Sequence, residues 1–129
     1  LAEIAGLELV VPSQQHGLRR TIDSYARLGG VDLNVGLEMD ALSQIKELVV
    51  RGSGFTILAP AAAHDCATRG ELVASRIIDP VMTRSVYLVR KSTRPQTYVS
   101  RKVEQVTTDV VQDLVQRGIW EVSKNLIAC

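Results

Sequence analysis

No charge of one sign dominates this chain. Fifteen Lys and Arg stand against 14 Asp and Glu, a net +1, so this segment has no basic footprint for nucleic acid. Long apolar runs are missing too, and nothing approaches the roughly 20 residues that span a bilayer. The start has no basic–apolar–small pattern of a secretion signal. Two cysteines, Cys66 and Cys129, do not make a disulfide-stapled scaffold, and they read as free thiols of a reducing cytosol. Two histidines, His16 and His64, lack metal-ligand spacing to either cysteine, and no cofactor is expected. The glycine-containing stretches "GVDLNVG" and "GSG" lack the Lys-Ser/Thr ending of a phosphate loop. No internal repeat or low-complexity segment is present.

What remains is an ordinary soluble composition, 46% hydrophobic and 22% charged. At 129 residues the chain is long enough for one domain with a core and too short for two independent ones. It opens on Leu1 inside the apolar run "LAEIAGLELVV", which reads as the edge of a fragment.

"LELVV", 7–11, stopped by Pro12, reads as a buried strand. In "LRRTIDSYARL", Leu18, Ile22, Tyr25 and Ala26 share a helical face that Gly29-Gly30 terminates, with Ser13 at the cap or just ahead of it. "VDLNVGLE", 31–38, alternates with period two, as a strand with one better-buried face does. Asp40 can cap a helix whose stripe is Leu42, Ile45, Leu48 and Val49, with Gly52 at its left-handed end. Gly54 then serves a tight turn or a close approach into "FTIL", 55–58, apolar enough for a parallel strand covered on both faces. A short helix over 61–69 ends at Gly70, and "LVASRII", 72–78, reads as strand. This order of elements predicts an α/β core with a mainly parallel sheet.

After Asp79-Pro80, "SVYLVR", 85–90, reads as a further strand and "KSTRPQT" as an exposed turn. Val99, Val103, Val106, Val110 and Leu114 then recur at helical spacing, giving a long amphipathic helix that needs a partner surface. Residues 80–120 thus read as the tail of a second subdomain whose main body is not here.

Taken in order, these segments resemble the effector-binding region of LysR-type transcriptional regulators. The pattern I-x-x-L-V-x-x-G-x-G-Φ-x-Φ-L-P is met by Ile45, Leu48, Val49, Gly52, Gly54, Phe55, Ile57 and Leu58. Ala59 precedes Pro60 where many members place Pro directly after Leu. "PSQQHGLR", "LEMDAL", "IIDPVMTRSVYLV" and "RGIW" are most similar to the branch of nitrogen-assimilation and aromatic-catabolism regulators. The resemblance covers residues 5–122. It implies a periplasmic-binding-protein-like (type 2) fold, with 1–78 as subdomain II after part of a crossover. Residues 79–122 would be the return crossover and the C-terminal strand and helix of an incomplete subdomain I, and 123–129 a tail. It further implies a cytoplasmic homodimer or homotetramer, off the membrane, that touches DNA only through an N-terminal winged helix-turn-helix absent from this chain.

In open α/β sheets ligands bind beyond the carboxyl ends of the strands. The effector-binding candidates are therefore Ser13, Gln14 and His16 (beside Pro12), Glu38, Met39 and Leu42, and Leu58 and Pro60. Ser13 and the amides opening the 17–28 helix suit a carboxylate or other anion. The resemblance implies a small-molecule effector held between subdomains, hinged near residues 1–6 and 79–82. Each residue also has a plain structural role open to it: Ser13 or His16 as a cap, Glu38 in a salt bridge, Met39 and Leu42 in the core. "AHDC", 64–66 with Ala63, is no thiol enzyme, because neighbours on a helix point in different directions. A solute-binding or transport-associated domain without a DNA role shares the architecture. The I-x-x-L-V-x-x-G-x-G block favours the regulator.

Overall fold

The computed structural model describes residues 1–122, and the expected tail over 123–129, with Cys129, lies outside the described residues. The chain divides after Met82 into two units.

The first unit is built around β1 (Leu9–Val11), whose three residues are all buried. It pairs in parallel with β2 (Val35–Glu38), with Leu9 opposite Val35 and Val11 opposite Glu38. Between them runs α1 (Gly17–Leu28). Leu9 and Val11, two apart on one strand face, meet Ile22 of α1 and Ile57, with Leu18, Leu33, Val35, Ile77 and Met82 around them. Val10 points to the other face, and α2 (Leu42–Val50), with Ile45 fully buried, packs against β1. Each such side chain contributes about 1.5–3 kcal/mol by leaving water, so this small cluster is the main source of cohesion. α3 (Pro60–Thr68) follows, with proline at its start and Cys66 buried and free.

The two glycines after α2 have separate tasks. Gly52 (φ +78°) is the left-handed residue after the helix. Its N–H donates to the Val49 carbonyl and that of Ser53 to the Leu48 carbonyl, the paired bonds of a Schellman ending. Gly54 (φ +140°) brings two backbones together, since a Cβ there would lie 2.9 Å from the Glu8 carbonyl oxygen. That same oxygen accepts from Phe55 N–H at 2.9 Å, and Val10 N–H donates to the Phe55 carbonyl. Gly54 is therefore the close-approach residue that lets segment 55–58 run beside β1.

The expected strands fare worse than the helices. "FTIL" runs parallel to β1 through one bridge, Leu9 to Phe55, and then enters α3 at once. The expected 31–38 strand is regular only over 35–38. Residues 72–78 form no strand, and among the described residues their only ladder contact is an antiparallel bridge from Ile78 to Val81. A strand needs a continuous neighbour for its N–H and C=O groups, and among the described residues no ladder runs along this segment, where Val73 is 96% exposed while Ile77 packs on the core.

The second unit begins at Thr83. The strand expected at 85–90 is not formed, and Val86, Tyr87, Leu88 and Val89 are all exposed. The unit's one helix among the described residues, α4 (Tyr98–Gln116), is capped by Thr97, whose hydroxyl oxygen accepts from Ser100 N–H at 3.1 Å. Val99, Val103, Val106 and Val110 lie exposed along it, so its periodicity is present while, among the described residues, no surface covers it. No helix among the described residues is long and apolar enough to cross a membrane.

Candidate functional site

Because β1 and β2 are parallel, their carboxyl ends open at one edge. β1 leaves through buried Pro12 to Ser13, and β2 leaves through Met39, whose N–H donates to the Val11 carbonyl at 2.9 Å, to Asp40. Segment 55–58 runs the same way, so Leu58 and Pro60 follow its carboxyl end.

Ser13 is ahead of the cap of α1, and the cap itself is His16. The His16 ring accepts from Leu18 N–H at Nδ1, 3.2 Å, so it takes one of the amides that the sequence leaves open to an anion. Ser13 bonds across the edge instead. Its backbone N–H donates to Asp40 Oδ1 at 2.9 Å and its hydroxyl to Oδ2 at 3.0 Å. The N–H bond first and the hydroxyl bond second hold the Asp40 carboxyl below its ordinary range. Asp40 does not cap α2, contrary to the sequence expectation. The cap position is Ala41, which has no oxygen to offer, and Asp40 is already committed to Ser13.

Glu38 takes the salt-bridge role. Arg19, in the first turn of α1 and only 7% exposed, donates from Nη1 to Glu38 Oε1 at 2.6 Å and to the Pro12 carbonyl at 3.1 Å. Its Nε donates to Asp23 Oδ1 at 2.8 Å. Burial works to lower the Arg19 pKa, and the two carboxylates outweigh it, so the guanidinium is held more firmly protonated than usual. Arg19 ties the exits of both strands to α1, and the sequence reading passed over it. One signal was available: Arg19 and Asp23 sit four apart, one helical turn, on a face that turns inward.

The remaining candidates are more dispersed. Gln14 is exposed beside Ser13, and Leu42, 42% exposed, opens α2. Met39 also lines a depression of about 290 Å³ along α2, with Gln44, Glu47, Leu48 and Arg51. The edge therefore brings together Ser13, His16, Glu38 and Met39, organised by Arg19 and Asp40. Among the described residues no group of three or more His, Cys, Asp or Glu is placed to hold a metal ion.

The model of the LysR substrate binding domain matches residues 1–112. The chain belongs to that family. A curated relative is the HTH-type transcriptional regulator BbuR of Bordetella bronchiseptica, 22% identical over 121 residues. The alignment covers 93% of this chain and 37% of the relative, so the chain spans little more than a third of that protein's length. No solved structure matches the chain significantly. Membership of the LysR substrate-binding family gives the strand-end edge its context as part of an effector-binding domain.

Proposed function

We propose that this chain is the effector-sensing part of a LysR-type transcriptional regulator. In this reading it binds a small anionic metabolite at the carboxyl edge of β1 and β2 through Ser13, Gln14, His16, Glu38, Met39, Leu42, Leu58 and Pro60. Binding is coupled to DNA through an N-terminal winged helix-turn-helix of the longer protein. The observation that carries it is the family match over 1–112, joined to a parallel pair whose two exits meet at a Ser–carboxylate contact.

The finer arrangement belongs to the same proposal. Residues 1–78 form subdomain II of a periplasmic-binding-protein-like (type 2) domain, and 79–122 return to subdomain I, whose other elements supply the facing wall. The regulator works in the cytoplasm as a homodimer or homotetramer. The effector acts through its differential affinity for two arrangements of the subdomains, about 1–3 kcal/mol of coupling. The test is operator binding by the full-length regulator, followed by fluorescence anisotropy across a panel of small carboxylates and neutral analogues. One carboxylate that shifts DNA affinity, and loses that effect on Ser13→Ala, supports the reading. A shift caused only by neutral or cationic compounds removes the anionic assignment.

A further inference from the structure

The expected ligand of Ser13 is a carboxylate, and a carboxylate is already bound there: that of Asp40. We infer that Asp40 is a built-in placeholder, occupying the two Ser13 donors until an effector carboxylate displaces it and frees the loop between β2 and α2. This inference rests on the strand-end edge being the effector site.

Three observations favour a releasable contact over a fixed tie. Asp40 is exposed, and its hydrogen bonds in the described structure go to Ser13 alone, so leaving costs it no buried surface. Glu38, two residues earlier on the same edge, is pinned by buried Arg19, so the two carboxylates are held in different ways. Asp40 also has somewhere to go. It stands just ahead of α2, whose N-terminus has no side-chain cap, where negative charge is favoured. An external carboxylate on Ser13 and Asp40 at the start of α2 make a second arrangement with the same charges satisfied. The contact thus sets a threshold: an anion weaker than Asp40 as a Ser13 partner leaves the loop where it is.

The test uses the full-length regulator, ¹⁵N-labelled, and sodium acetate, at constant ionic strength with chloride as reference. Amide signals of Ser13 and residues 38–42 are followed in the wild type, Asp40→Ala and Asp40→Asn. If the open form is a minority of about 10% or less, removing the placeholder tightens acetate binding at Ser13 about tenfold or more. Asp40→Asn, with one acceptor oxygen in place of two, falls between. Equal acetate affinity at Ser13 in wild type and Asp40→Ala overturns the placeholder and leaves the effector site standing. No acetate response at Ser13 in any variant overturns both the placeholder and the anionic-effector reading.

Discussion

Arg19→Met removes the contact that ties the two strand exits to α1 while keeping most of the side chain's bulk. Arg19 is 7% exposed and makes three hydrogen bonds, two to carboxylates and one to the buried Pro12 carbonyl. Breaking a fully buried ion pair costs about 3–5 kcal/mol. Here the partners are half-open, with Asp23 34% and Glu38 43% exposed, so both carboxylates rehydrate and each pair counts for about 0.5–1 kcal/mol. The Pro12 carbonyl loses its donor where water reaches it poorly, about 1–3 kcal/mol. Methionine keeps most of the aliphatic packing. The net loss is about 2–5 kcal/mol, read as a lower urea midpoint with unchanged slope by far-ultraviolet circular dichroism. Arg19→Lys should recover little, because an ammonium cannot reach three acceptors with the geometry of a planar fork. A loss below about 0.5 kcal/mol for Arg19→Met would refute the claim that this guanidinium ties the strand exits together.

Gly54→Ala forces a Cβ to 2.9 Å from the Glu8 carbonyl and costs more than Gly52→Ala, which meets open space and pays about 1 kcal/mol for its left-handed backbone; paired thermal melts check the order. Ile22→Ala, emptying a site with 0% exposure, lowers stability by about 2–5 kcal/mol in urea titrations. Val106→Ala on α4, where Val106 is 59% exposed, leaves helicity unchanged or slightly raised by circular dichroism, since alanine is the better helix former and little packing is lost. Asp40 and Glu71 have depressed pKa values, from Ser13 and from Arg69 respectively, so these contacts stabilise at neutral pH and are lost as pH falls below the ordinary carboxylate range. In a carboxyl ¹³C titration, Ser13→Ala raises the Asp40 midpoint and leaves that of Glu71 in place.

The helices were legible in the sequence because their signals are local. Ile22 and Ala26, or Ile45, recur at helical spacing, and Gly30 and Gly52 stand where left-handed endings belong. The strands were legible only where a partner exists. "LELVV" and "VGLE" find each other across a parallel register, whereas 72–78 and 85–90 have equally β-prone residues and, among the described residues, no strand laddered alongside them. At the candidate site, the residues after each strand could be named from the chain order. Their pairings could not: Ser13 to Asp40 spans 27 residues and Arg19 to Glu38 spans 19, and only the closed β1–α1–β2 unit brings them together. Asp40 looked like a cap because Asp before a helix usually is one, until a better-placed pair of donors takes it.

The most direct test of the effector-binding assignment is hydrogen exchange on the full-length protein, with and without a metabolite that shifts operator binding in the proposed anisotropy assay. Protection gained at residues 12–18 and 38–42, at the exits of β1 and β2, is the expected result. Protection confined to the α2 depression around Gln44, Glu47 and Arg51, with the strand exits unchanged, would contradict it.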